Sequence, residues 1–265
     1  MKSIAVIFAG GAGQRMGSET PKQFLRVCGK DILLHTLELF EINDNIDEIY
    51  IACIEEWIPY VENLVKSYDV DKVRRVFPGG ISGQDSIFIG LSEVKKDHDN
   101  AVVLLHDGVR PLVSQETISN CVKSVLENGS AVTVTPCFET PIYSGGGINV
   151  ENMPLRSEMY TAQAPQGFYL NDILEAHIKE RAVNPNYEGI VDSCGLMFKH
   201  GVDSYLVMGN RGNVKVTTPE DYCTLLGNLN ARDYQQLLEL TGGSAPLANS
   251  HDTIVKRLVN KEENK

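Results

Sequence analysis

The chain has 265 residues, 42% of them hydrophobic and 22% charged, with a formal net charge of -11. That length and balance fit one large α/β domain or two small ones with a substantial buried core. The negative balance argues against nucleic-acid or anionic-membrane binding, which need a basic face, and no stretch approaches the ~20 apolar residues of a membrane span. Six scattered cysteines form no CxxC pair, which argues against a zinc site or disulfide framework and predicts buried, reduced thiols.

Ile4–Phe8 is a short apolar run with β-branched residues and reads as a buried parallel strand. A glycine-rich turn follows, and then Ile32–Phe40, where Leu33, Leu37 and Phe40 share a helical face. Glu48–Ile54 reads as a strand, Ile58–Tyr68 as a helix, Val73–Phe77 as a strand ending at Pro78-Gly79-Gly80, and Ser86–Val94 as a helix. Ala101–Leu105 is an all-apolar strand ending at His106-Asp107, followed by a helix over Glu116–Asn128 and a strand over Ala131–Pro136. This alternation predicts a doubly wound, mostly parallel α/β sheet of Rossmann type. Right-handed crossovers put the strand C-terminal ends on one edge, where the first glycine loop, the Gly79-Gly80 turn and His106-Asp107 should converge.

Glu139–Met159 breaks the pattern. Ser144-Gly145-Gly146-Gly147 suggests a hairpin turn between two extended pieces, so 137–160 reads as a projecting β-arm. Phe168–Arg181 is predicted helical and Ser204–Gly209 a strand. A helix over Pro219–Leu229 is capped by Thr218, with Pro219 at its first position and Glu220 and Asp221 in its first turn, and a second short helix covers Arg232–Leu240. Gly242–Lys265 is polar and predicted partly disordered, with a brief amphipathic turn at Ile254–Val259. The domain reading is therefore a single domain over 1–230 and a C-terminal extension and tail over 231–265.

Three segments carry chemistry. The first, Ala9-Gly10-Gly11-Ala12-Gly13-Gln14-Arg15-Met16-Gly17 with Pro21-Lys22-Gln23, has small residues where backbone must approach phosphate, and two cations, Arg15 and Lys22. It is not a P-loop, because no Lys follows Gly17, nor a dinucleotide fingerprint, because Met16 stands where the third glycine belongs and the acidic pair Glu55-Glu56 comes about forty positions on. The second is His106-Asp107-Gly108-Val109-Arg110-Pro111: Asp107, at a strand end, suits a Mg²⁺–triphosphate, and Arg110 can hold a phosphate bidentately. The third is Gly209–Asp221, where Lys215, flanked by Val214 and Val216 on a predicted short strand, must meet an anion if it points inward.

In this order and spacing the three segments resemble the cytidylyltransferases that couple CTP to an alditol phosphate. That family includes the methylerythritol 4-phosphate enzyme of isoprenoid synthesis and the ribitol 5-phosphate enzyme of teichoic-acid and capsule synthesis. The resemblance runs from about Ile4 to Leu226. It implies a CTP loop of Ala9, Gly10, Gly11, Gly13, Arg15 and Lys22, a cytosine side at Gly80 and Ser86, and Asp107, Gly108 and Arg110 meeting ribose, metal and substrate. It also implies Lys215 near the α-phosphate and Arg156 reaching the partner subunit's acceptor from a dimerisation arm. Arg15, Lys22 and Lys215 would then be catalytic, Asp107 would hold Mg²⁺, and Asp107, Arg110, Arg156, Val191 and Lys215 would meet the acceptor.

The chain departs from the family's usual pattern at Gly83, where an arginine is usual, at Ala164, where Leu-Thr-Pro-Gln becomes Gln163-Ala164-Pro165-Gln166, and at Val191, where Thr-Asp-Glu becomes Val191-Asp192-Ser193. The Ala9-Gly10-Gly11 start and Asp192-Ser193-Cys194 are nearer the ribitol-phosphate branch. The expectation is a cytoplasmic homodimer with a shared active site, joining CTP to ribitol 5-phosphate for cell-surface polymer synthesis, binding neither nucleic acid nor membrane. The alternatives are the methylerythritol 4-phosphate reaction, a transferase using another nucleoside triphosphate, and a non-catalytic nucleotide-binding regulator.

Overall fold

The computed structural model describes residues 1–11 and 20–240. A seven-stranded sheet has the order β5-β4-β1-β6-β8-β7-β9. Its strands are β1 (Ser3–Ala9), β4 (Glu48–Cys53), β5 (Val73–Pro78), β6 (Val102–Asp107), β7 (Ser130–Pro136), β8 (Tyr160–Tyr169) and β9 (Leu206–Met208). A two-stranded ribbon of β2 (Arg26–Val27) and β3 (Lys30–Asp31) stands beside it. β1, β4, β5 and β6 pair in parallel, β8 runs antiparallel to both β6 and β7, and β9 is parallel to β7.

Successive side chains of a strand point to opposite faces. In β1, Ala5, Ile7 and Ala9 join one core cluster while Ile4 and Val6 join the other; in β6, Val102 and Leu104 alternate likewise with Val103 and Leu105. The first face is covered by α1 (Ile32–Glu41), α2 (Ile58–Ser67) and α4 (Gln115–Asn128), and the second by α3 (Gly83–Asp97), α5 (Leu170–Val183) and α6 (Ser193–Lys199). Both faces being buried explains why these strands read as continuous apolar runs.

The helices begin where side-chain oxygens can take the free amides of a first turn. Ser82, Ser114 and Asp192 accept from Asp85 N (3.1 Å), Thr117 N (3.1 Å) and Gly195 N (2.8 Å), opening α3, α4 and α6. α4 closes on Gly129, whose φ of 88° lies in the left-handed region that glycine adopts without strain. The predicted cap of the last helix is present: Thr218 Oγ1 accepts from Asp221 N at 3.4 Å, and Asp221 Oδ2 accepts from Thr217 N and Thr218 N.

Several expectations are corrected. The helix expected from Phe168 starts at Leu170; Phe168 and Tyr169 close β8, a strand that β7 and β6 flank on both sides. The two expected C-terminal helices are one, α7 (Pro219–Leu240), which continues through Asn230-Ala231. The expected arm hairpin reduces to one antiparallel bridge, Tyr143–Asn152. Of the six free cysteines only Cys53 and Cys121 are buried; Cys28 and Cys223 are exposed. Contacts divide the chain into Met1–Tyr222 and Cys223–Lys265. The expectations for Gly242–Lys265, including Ile254–Val259, fall outside the described residues.

β8 is bulged where it passes β7. Val132 pairs with Gln166 and Val134 with Ala162, so Gln163, Ala164 and Pro165 face the single residue Thr133. The Ala164–Pro165 bond is cis. Buried carbonyls that leave a ladder need other donors. Thr133 Oγ1 donates to Pro165 O at 2.6 Å, and Asn213 Nδ2 to Ala164 O at 2.6 Å.

Where β8 regains register, Gly167 lies so close to its neighbours that a Cβ would stand 2.7 Å from Leu104 Cδ2 and 2.8 Å from Val125 Cγ2. Gly167→Ala is expected to lower unfolding free energy by about 1–3 kcal/mol through overpacking, read as a shift in denaturant midpoint at constant m-value.

Candidate active site

The strand order reverses between β1 and β6: the chain builds outward through β4 and β5, then returns to place β6 on the other flank of β1. Ligands of doubly wound sheets sit outside the strand C-termini at such a point. A cavity of about 690 Å³ occupies it, lined by the ends of β1 and β6, the turn after β5, the β8 bulge, and the stretch Val191-Asp192-Ser193. Of the predicted convergence, the described residues Ala9, Gly10 and Gly11 of the first glycine loop, Gly80 of the turn after β5, and His106 and Asp107 all line this cavity.

Ala9, Gly10 and Gly11 line the cavity beside Lys22, a largely buried lysine. Lys22 sits on a short 3-10 turn, Lys22–Phe24, held at three points. Gln23 Nε2 donates to Ala9 O at 2.6 Å, Phe24 N donates to Pro21 O at 2.9 Å, and the Phe24 ring stacks on Trp57 with centroids 4.3 Å apart. Gly13 and Arg15 lie outside the described residues.

The turn after β5 is tied by one hydroxyl. Ser86 Oγ accepts from Gly80 N at 3.0 Å and donates to Ser82 O at 2.9 Å. Gly80 is required here, since a Cβ would stand 2.3 Å from Asp85 Cβ. At Gly83 a Cβ would meet nothing within 4 Å, so the arginine usual at this position is absent without any local packing reason.

At the tip of β6 the Asp107 carboxylate holds two cations. Arg110 Nε donates to Oδ2 at 2.8 Å and Lys215 Nζ to Oδ1 at 2.7 Å. Burial works to raise the Asp107 pKa, but Lys215 and Arg110 outweigh it and hold the carboxyl down at about 2. Arg110 also donates through Nη1 to Asn213 O at 2.9 Å. Its backbone closes a turn onto Asp107 O, and its carbonyl lies 3.2 Å from His106 Nε2. Burial pushes the His106 pKa down to about 4, so its imidazole is neutral at ordinary pH and serves as donor to that carbonyl.

Lys215 is not on a strand, contrary to expectation. One backbone bond, Val216 N to Val109 O at 2.9 Å, anchors its segment, and buried Val216 beside exposed Lys215 produces the alternation that resembles a strand. Gly108 does not line the cavity: its amide donates to Phe8 O, and a Cβ would meet Leu33 Cδ1 and Phe8 O at 3.0 Å. It lets β6 turn tightly against β1. Val191 lines the cavity mouth with 93% exposure. Arg156 is elsewhere, lining a second cavity with Pro136, Cys137, Phe138 and Ser157 and donating to Phe138 O at 3.2 Å.

Sequence reasoning missed the amide-rich wall. Gln166 Nε2 donates to Asp192 Oδ2 at 2.9 Å while its Oε1 accepts from Cys194 N at 2.9 Å, locking the bulge to the start of α6. The available signal was Pro165, since a proline in an otherwise strand-like run marks an edge or a bulge.

The described cavity residues supply the cations Lys22, Arg110 and Lys215, the Asp107 carboxylate that holds two of them, and the Asp192 carboxylate, which is engaged by Gln166 and Gly195. The imidazole is committed to a carbonyl and the Ser86 hydroxyl to its turn, so the arrangement suits transfer between phosphates by positioning and charge rather than through a protein nucleophile.

Fold and site together define an α/β nucleotidyltransferase. Residues 3–226 match the family model for 2-C-methyl-D-erythritol 4-phosphate cytidylyltransferase, and the chain belongs to that family of CTP-dependent cytidylyltransferases. A ribitol-5-phosphate cytidylyltransferase of Vibrio parahaemolyticus is 45% identical over 222 residues, covering 83% of this chain and 92% of that protein. One from Streptococcus agalactiae is 40% identical over 237 residues, covering 89% and 98%. A 2-C-methyl-D-erythritol 4-phosphate cytidylyltransferase of Clostridium botulinum is 36% identical over 221 residues, covering 83% and 94%. Among solved structures, the 4-diphosphocytidyl-2C-methyl-D-erythritol synthase of Anaerococcus prevotii superposes with a TM-score of 0.75 at 26% identity, covering 86% of this chain and 96% of that one.

The depressed Asp107 pKa fixes a pH window. The carboxylate's folded-state value lies below its ordinary 3.8, so the stability it contributes is fully present above about 4 and is lost as pH falls toward 2. A carboxyl-carbon NMR titration should place Asp107 near 2, moving up toward the ordinary value in Lys215→Ala.

Proposed function

We propose that this protein joins CTP and ribitol 5-phosphate to give CDP-ribitol and pyrophosphate. The observation that carries this reading is the meeting of Lys22, Asp107, Arg110 and Lys215 around one cavity in a chain whose ribitol-5-phosphate cytidylyltransferase relatives reach 45% identity, against 36% for the methylerythritol relatives reported above. An oxygen of the acceptor phosphate attacks the α-phosphorus of CTP, the bond from that phosphorus to the bridging oxygen breaks, and pyrophosphate leaves with the electron pair. A phosphate monoester is already a competent nucleophile, so the protein's contribution is positioning and charge stabilisation.

In this reading Ala9, Gly10, Gly11 and Gly13 approach the triphosphate, Arg15 and Lys22 hold its β- and γ-groups, and Gly80 and Ser86 face the base. Lys215 neutralises the α-phosphate. Its ammonium has three donors, so it can keep Asp107 while meeting a phosphate oxygen. Arg110 fixes the acceptor phosphate, Gly108 sets the turn carrying it, and Val191 borders the entrance.

Mg²⁺ fits the donor set. Asp107 is ionised at the cavity wall, each of its oxygens keeps a further lone pair beyond its bond to Arg110 or Lys215, and magnesium commonly takes one or two carboxylates with the rest from substrate phosphates and water. Asp107 would hold it, and when bound it would neutralise charge on the triphosphate.

The proposal extends to a homodimer in the cytoplasm. Ile142, Ile148, Val150, Met153 and Leu155 of the 137–160 arm are all more than half exposed, a run of apolar surface that a second copy would cover. Arg156 on the same arm would then complete the partner's acceptor site. No described helix is long and apolar enough to cross a membrane.

Lys22→Ala is expected to reduce CDP-ribitol formation by about two orders of magnitude or more with an unchanged circular dichroism spectrum. Pyrophosphate release with CTP against ATP, GTP and UTP, and with ribitol 5-phosphate against methylerythritol 4-phosphate, decides nucleotide and acceptor. CTP binding without turnover would leave only the regulator.

The shared site has its own test. Mixing Lys22→Ala and Arg156→Ala subunits under verified exchange should restore part of the activity that each variant lacks alone. Absence of rescue would remove Arg156 from the site.

A further inference from the structure

The β8 bulge aims a side chain into the cavity to which the reading above gives no task. Gln163 is the first of three residues opposed to Thr133, and it lines the cavity wall beside Ala162 and Ala164. Bulges next to active sites re-aim side chains in this way. Gly209 leaves room for it, since a Cβ there would stand 3.1 Å from Gln163 Oε1 and 2.5 Å from Thr133 Cγ2.

The orientation of the Gln163 amide follows from its neighbours. A backbone carbonyl only accepts, so the Asn213 side-chain atom 2.6 Å from Ala164 O is its NH₂ group. The same NH₂ lies 3.3 Å from Gln163, and only the glutamine oxygen can accept it. Gln163 Nε2 is therefore turned the other way, with two N–H donors and no partner among the described residues. The neighbouring polar groups are committed: both Gln166 ends and both Asp192 oxygens are engaged with one another or with the start of α6.

The sheet tells which substrate lies there. Reading across the strand ends, the turn after β5 and the Lys22 loop after β1 lie on one side of Asp107, and the β8 bulge lies on the other. With the nucleotide occupying the first side, the bulge borders the acceptor. Phosphate is served by the cations, and a neutral amide donor beside Ala162, Ala164 and Val191 suits a hydroxyl.

We infer that Gln163 is a specificity-determining residue whose Nε2 donates to a hydroxyl of the acceptor's polyol chain. The inference rests on the transfer from CTP to a polyol phosphate proposed above. Asn213, tied to Gln163 through Nδ2 and to Arg110 through its carbonyl, sets the donor relative to the group that fixes the acceptor phosphate.

Two variants separate donation from scaffolding. Gln163→Glu keeps an oxygen for Asn213 and removes the donor; Gln163→Met removes both. Gln163→Glu is expected to raise KM for ribitol 5-phosphate about tenfold, with KM for CTP within twofold of wild type. Gln163→Met should raise acceptor KM similarly and, by freeing Asn213, also lower the melting temperature. A wild-type acceptor KM in Gln163→Glu, or a rise in KM for CTP in place of the acceptor, would overturn the inference. If the wild-type enzyme uses CTP with another polyol phosphate, the choice of ribitol fails while Gln163 is judged on KM for that acceptor. If it turns over no polyol phosphate, both readings fall together.

Discussion

Two cations share one carboxylate at the tip of β6, and the rest of the site is arranged around that contact. Asp107 is partly withdrawn from water, and a buried charge without partners is costly. Arg110, three residues on, satisfies one oxygen because a tight turn brings it back; Lys215, more than a hundred residues on, satisfies the other. Each cation is thereby tethered at the cavity, Arg110 largely buried and Lys215 open to solvent, and each retains donors for a phosphate. Gly108 permits the turn, neutral His106 props its carbonyl, and Val216 fastens the Lys215 segment to Val109. Three distant stretches of chain thus share one rigid corner.

The antiparallel strand gives the cavity its second wall. In a fully parallel sheet every strand would deliver only its C-terminal end to the site. β8 runs the other way, so its first half approaches the same edge, and its bulge presents side chains laterally beside Asp107. The same reversal hangs 137–159 between two strand ends at that edge. Apolar surface on the arm and polar chemistry in the cavity are therefore consecutive in sequence.

Much of this was legible in the sequence, for identifiable reasons. β1 and β6 are buried on both faces and so are unbroken apolar runs, and the turns that follow carry Gly10, Gly11 and Asp107 at the edge the topology dictates. β8 was hidden because the bulge breaks its period and Pro165 and Gly167 weaken strand propensity, while Phe168 and Leu170 mimic the spacing of the helix that follows. Lys215 was found for a partly mistaken reason: the flanking valines mark a pinned loop, and the anion it needed was Asp107 itself. The amide wall was missed because its orientation depends on Asn213, fifty residues from Gln163, a relation that no local pattern encodes.

The aromatic stack behind Lys22 has a consequence for observation. The sequence contains one tryptophan, Trp57, and its indole lies face to face with Phe24, two residues from the cavity lysine, with Tyr60 set edge-on to both rings. Any displacement of the Lys22 turn has to slide that stack and alter the surroundings of a single emitter. The protein therefore carries an optical gauge beside a lysine of its candidate active site, needing neither label nor engineered residue.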